Sequence, residues 1–202
     1  MHILEETIQT RFHGTLASGK HEPNSVACLL EAAHAAMGDP WSDTPDRWPD
    51  FRPLNDAPWS SNRARAAGLV PVLLAYWEWA DWSLARRQQV IERVVVLTVQ
   101  RVIAKLPGLS ARLVQQCCGV TTLSQAAAVG EAVGYAVGEA GEVVWAVEAA
   151  VWAAISAALV PHNSVAAAGA AWAEAGVVAD AVLHTACQLW IEAAREEGAN
   201  EV

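Results

Sequence analysis

From Thr122 to Glu197 a single proline, Pro161, interrupts a stretch dominated by alanine, valine and glycine. Nothing in it alternates convincingly at period two, so long helices are the structure open to it. The spacing predicts one helix over 122–160 and a second over 164–197, joined by Pro161-His162-Asn163 with Asn163 as N-cap. So short a link makes the two antiparallel neighbours. At about 100° per residue, Gly130, Gly134, Gly138 and Gly141 share one face, which Trp145, Glu148 and Trp152 continue. On the second helix Gly169, Gly176, Leu183 and Trp190 form a stripe, with Trp172 beside it. Folding the pair about its link sets Trp152 near Trp172 and Gly134 near Trp190, so large meets small. The glycines each cost up to about 1 kcal/mol of helix stability, which close backbone approach offsets. A straight helix over 122–160 would be about 60 Å long, wider than a compact chain of this length. It either breaks near Gly138–Gly141, the reading favoured here, or protrudes to pair with another subunit.

The rest of the chain is cut into shorter helices. Asn24-Ser25 is expected to cap a helix running to about Met37, which Gly38-Asp39-Pro40 stops. A short helix is expected from about Asp46. Ser60-Ser61 would cap another, stopping near Gly68. Pro71 would open a helix carrying Trp77, Trp79 and Trp82. Ser83 would cap a long one to Leu106, broken by Pro107-Gly108. Ser110 would start a short piece ending at Gly119, and residues 1–21 read as irregular. The fold class is therefore all-α: a multi-helix bundle ending in a long antiparallel hairpin. Residues 1–118 make one part and the acidic 119–202 hairpin packs on it as one structural unit.

Charge divides along the same line. The net charge is −9, and residues 119–202 carry Arg195 alone against ten acids, which is the whole excess. That excludes nucleic acid as a partner for this half and keeps an alanine-rich surface soluble. The start of the chain has no basic region followed by an apolar run, so no signal peptide is read. Residues 143–160 carry Glu148 and barely reach the minimum span, so no membrane segment is expected either. Cys28, Cys117, Cys118 and Cys187 have neither disulfide nor zinc spacing and read as reduced, buried residues of a cytoplasmic protein.

The most information-dense segment is Asp39–Asn62, with five prolines, three tryptophans and five aspartates between two Pro-Trp-Ser copies. So stiff a segment is costly to order unless it packs against something or holds something. In the structural reading its aspartates and Asn55 cap turns and helix starts, while tryptophans pin it to the core. In the ligand reading Trp41, Trp48 and Trp59 wall a pocket whose polar groups come from Asp43, Asn55, Asp56 and Arg63. Calcium-loop spacing is absent. Glu31-Ala-Ala-His34 has the spacing of a di-metal bundle motif but stands alone, so no metal or cofactor is assigned. Glu31 and Glu148 are candidate buried carboxylates, which need pairing, hydrogen bonds or a proton. Asp180 and His184 are spaced as a helical ion pair. Trp77 and Trp79 project about 160° apart on a helix, so either that helix is buried nearly all round or a tryptophan faces a partner. No nucleophile motif or phosphate-cradling loop is present, and the arginines of 84–105 spread around their helix rather than forming a stripe.

Cys28-Leu29-Leu30-Glu31-Ala32, then Pro40-Trp41-Ser42-Asp43 with Pro45, then Asn55-Asp56 and Arg63 resemble a family of hypothetical proteins from actinobacteria and their phages. The resemblance covers about residues 13–75. It implies that Cys28, Glu31, Ser42, Asp43, Asn55 and Asp56 act together. That family usually shows Met-Glu-Ala where this chain has Leu30-Glu31-Ala32. The function expected is that of a non-enzymatic helical binding or interaction protein that self-associates, most simply as a two-fold dimer. The alternative is a small-ligand protein, a phage-encoded sequestering protein or an enzyme, built on the Trp/Asp segment.

Overall fold

The computed structural model describes residues 1–23, 25–57, 59–105, 109–137 and 176–199. Among them every regular element is helical: α1 Ile3–Arg11, α2 Leu29–Met37, α3 Arg52–Asp56, α4 Asn62–Ala75, α5 Leu84–Arg101, α6 Ala111–Cys118, α7 Leu123–Val137 and α8 Gly176–Ala199. Two 3-10 turns, Trp79–Asp81 and Ile103–Lys105, follow α4 and α5. The expectations for Trp145, Glu148, Trp152, Trp172, Gly138–Gly141 and the 161–163 link fall outside the described residues.

α8 packs against both α4 and α5, while α7 packs against α5 and α6. One core results. Leu69, Leu73 and Tyr76 from the α4 side and Val94 and Leu97 from α5 belong to it together with Leu183 and Trp190 of α8. α2 leans on α1, α3 and α4. None of the described helices is long and apolar enough to cross a membrane.

Several boundaries differ from the sequence expectation, each for a physical reason. The irregular reading of 1–21 is corrected by α1. Its only buried residues are Leu4 and Ile8, one turn apart, and its cap is an uncommon one: the His2 ring Nδ1 accepts from Leu4 N–H at 3.2 Å. α2 starts at Cys28 rather than Asn24-Ser25. Cys28 supplies a capping box with Glu31, a thiol in the place usually held by a hydroxyl. The short helix expected from Asp46 begins instead at Arg52.

The expected stop at Gly68 and restart at Pro71 are one continuous helix. Gly68 is there for space: a Cβ would come within 2.4 Å of the Trp59 ring. Pro71 removes one helical bond, to the Ala67 carbonyl. Both residues lie on the exposed side of the helix. The tryptophans after Pro71 therefore sit not on a helix but on the turn behind α4. Trp79 is buried there, while Trp77 and Trp82 are half-buried against the core. Ser83, Ser110 and Gly119 cap where expected. Cys28, Cys117 and Cys187 are buried, but Cys118 is exposed, which corrects the expectation for that residue.

Candidate functional site

Four of the residues that stand out in the sequence, Cys28, Glu31, Asn55 and Asp56, come together in one polar network where the Phe12–Cys28 loop meets α2, α3 and α4. Asn55, the fourth residue of α3, is its hub. Its Oδ1 accepts from Leu29 N–H, the first residue of α2, at 3.0 Å. Its amide donates to Ala17 O at 3.0 Å and to Asp56 Oδ1 at 2.8 Å. Asp56 in turn accepts from Gly19 N–H at 2.6 Å. Glu31 is fully buried and accepts three bonds: from His21 N–H at 2.6 Å, from the His21 ring Nδ1 at 2.9 Å and from Cys28 N–H at 2.8 Å. The Cys28 thiol takes Glu31 N–H at 3.5 Å. Burial, with Glu31 adding its charge, pushes the thiol pKa up to about 12, so the sulfur is a cap and not a nucleophile.

The expected role of Asn55 and Asp56 at turns and helix starts is thus met. Two residues the sequence reading passed over complete the network. His21 lies in the stretch read as irregular. Arg65, not Arg63, is the inward arginine of α4. Two positions apart on a helix project about 200° apart, so only one of them can face the core. The Arg65 guanidinium donates to Asn55 O at 2.7 Å, Leu16 O at 3.0 Å and Asn62 Oδ1 at 2.6 Å. It thereby gathers carbonyls that α3 and the loop would otherwise leave open.

The three tryptophans of the ligand reading do not wall a common cavity. Trp41 donates to His21 O at 2.7 Å, and Arg11 lies over its ring at 5.8 Å. Trp59 donates to Leu54 O at 2.9 Å and meets the His184 ring edge-on. Trp48 is buried between His34 and Trp77. Asp43 lies on the surface, 3.8 Å from Lys20. Ser42 bonds Thr44 in the same turn. Glu31 and His34 do not share a ligand position either. Glu31 faces His21, while His34 Nε2 donates to Thr44 O at 3.2 Å and its Nδ1 stands 3.6 Å from Asp39. Among the described residues no three ligating side chains gather.

Open space lies elsewhere. A cleft of about 690 Å³ is lined by His2, Leu74, Trp77, Glu78, Trp82, Arg86, Ile191 and Arg195. It forms where the start of α1 and the tryptophan turn meet the last turns of α8. The His2 ring stands edge-on to Trp77 at 4.5 Å, and the Arg86 guanidinium covers Trp82 at 3.8 Å. Glu78 and Arg195 are exposed, and their side chains make no hydrogen bond or ion pair among the described residues. A second cleft, of about 600 Å³, lies between α1 and α4, and Arg63 lines it. No family model, curated protein or solved structure matches this chain.

Proposed function

We propose that the protein is a non-enzymatic, cytoplasmic binding protein that associates with itself through the tryptophan-lined cleft. The observation that carries the reading is the pair of unpartnered opposite charges, Glu78 and Arg195, flanking an aromatic and aliphatic surface of Trp77, Trp82, Leu74 and Ile191. In a two-fold dimer one patch meets its own copy. Glu78 of one copy then pairs with Arg195 of the other, twice, around an apolar centre. Part of that surface is α8, the second helix of the expected hairpin. The polar residues that could suggest catalysis are consumed inside the fold, Glu31 and Asn55 by three hydrogen bonds each. They support a scaffold for binding rather than a reaction centre.

Light scattering at tens of micromolar is expected to return a dimer. Glu78→Arg and Arg195→Glu should each give a monomer, and the double exchange should restore the dimer. A monomer at every concentration tested overturns the proposal. A second reading, a small-ligand protein, is favoured by one observation: Arg63, alone of the sequence candidates, lines a cleft.

A further inference from the structure

The cleft between α1 and α4 has two unlike ends. The two helices run antiparallel. Leu16 N–H, just beyond α1, meets Asn62 O at the start of α4 at 3.0 Å, while His2 at the head of α1 touches Trp77 past the end of α4. Gly14 and Arg63 therefore stand at one end, and Met1, Glu5 and Pro71 at the other. Between them Ile8, Ala66 and Val70 form an apolar floor, with Ile8 and Ala66 buried. The run from Arg63 to Val70 is about 11 Å at 1.5 Å per residue.

Charge along this slot is graded. Arg63 is exposed and has no hydrogen bond or ion pair among the described residues. Other arginines are committed: Arg47 and Arg52 to aspartates, Arg93 and Arg101 to glutamates. Arg63 also sits in the first turn of α4, where the helix dipole adds positive potential. The acid of the cleft, Glu5, is at the far end, and its Oε2 is tied to His2 N–H at 2.8 Å in the capping box of α1.

We propose that this cleft binds a soluble amphiphile with one carboxylate head and one short unbranched apolar chain. Arg63 grips the head through the paired N–H donors of its guanidinium, the geometry that suits a carboxylate. Ile8, Ala66 and Val70 cover the chain, and Glu5 turns away an anion entering the wrong way round. The inference rests on the small-ligand reading; the two clefts share Pro71, but Arg63 stands at the end away from it, so the test at Arg63 and the dimer test at Glu78 and Arg195 can fail separately.

Calorimetric titration of the full chain with decanoate, decanol and decyltrimethylammonium tests it. Decanoate is expected to bind about tenfold tighter than decanol, and the ammonium not at all. Arg63→Gln should bring decanoate down to the level of decanol. Ala67→Leu, which fills the slot from its exposed side, should weaken both. Because Arg63 and Ala67 are exposed, both variants are expected to keep the wild-type melting temperature. Equal binding of all three probes, or decanoate binding unchanged in Arg63→Gln, overturns the proposal. So does co-sedimentation of the wild type, but not Arg63→Gln, with phosphatidylglycerol vesicles, which would move the head to a membrane surface.

Discussion

The polar network around Asn55 and the aromatic centre around Tyr76 are both largely buried, but different forces hold them. In the first, a few side chains hold a loop and two short helices by directional bonds: Glu31 with three donors, Asn55 with three partners, Arg65 with three carbonyls and the Asn62 side chain. In the second, Phe51, Tyr76 and Trp190 pack edge to face, Trp79 and Trp82 lie tilted against Tyr76, and Tyr76 Oη, at the C-cap of α4, donates to Trp190 O on α8 at 2.8 Å. One region is specified by chemistry and the other by shape. A change of shape should therefore hurt the second more, and a change of chemistry at constant shape should hurt the first more.

The largest expected effect is on the aromatic side. Trp190 is almost fully buried and touches both Phe51 and Tyr76. Trp190→Ala removes that surface and leaves a cavity, at a cost of about 3–5 kcal/mol in chemical denaturation. A loss below about 1 kcal/mol would mean that α8 is not part of the core.

Next comes chemistry without a change of shape. Glu31→Gln keeps the volume but turns an amide toward N–H groups of His21 and Cys28. At least one buried donor is then unsatisfied and a second faces another donor. A cost of about 2–3 kcal/mol is expected, read as a lower urea midpoint with unchanged slope. If Glu31→Gln is silent, the comparison between the regions fails at its centre.

The matching change on the aromatic side is smaller. Tyr76→Phe deletes the bond to Trp190 O and keeps the ring. It leaves Trp190 O without that partner, for about 1 kcal/mol. Burial holds the Tyr76 phenol well above its usual pKa. Alkaline titration should therefore find this hydroxyl protonated up to the pH at which the protein unfolds. A Tyr76→Phe cost as large as that of Glu31→Gln would erase the distinction drawn here.

Much of the helix frame was legible in the sequence, because helix period, serine caps and Gly119 are local signals; the aromatic region was not, since Phe51 and Tyr76 carried no signal and Trp190 was expected against Gly134. The polar region was legible only in its membership. Cys28, Glu31, Asn55 and Asp56 were all singled out, yet their partners are His21, Gly19, Ala17 and Leu29, mostly backbone atoms from a loop with no pattern of its own. A backbone acceptor has no residue identity to read. Arg63 and Arg65 were indistinguishable until the phase of α4 was fixed, and that phase was hidden by Gly68 and Pro71, which read as breaks. His2 as a cap, and so α1 itself, leaves almost no trace in composition. The clefts were least legible of all, since they depend on how α1, α4 and α8 meet.

The smallest expected effect sharpens the comparison from outside both regions. Arg101 on α5 bonds Glu192 on α8 through two contacts, the longer 2.8 Å, and Arg93 meets Glu196 one turn along. The bond to Arg101 lowers the carboxyl pKa of Glu192 below its usual value. An acid depressed in the folded state stabilises above its unfolded pKa, about 4.3, and that contribution is lost as pH falls through the folded value. Both side chains are about a third or more exposed, so solvent and salt screen the pair. Arg101→Ala is expected to cost less than about 1 kcal/mol at neutral pH, and still less at pH values acid enough to protonate Glu192 or in molar salt. These two pairs tie α5 to α8, whereas Trp190 ties α8 to Tyr76 and Phe51. A loss from Arg101→Ala that approaches that of Trp190→Ala, or that survives molar salt, would place the hold on α8 in charge rather than in shape.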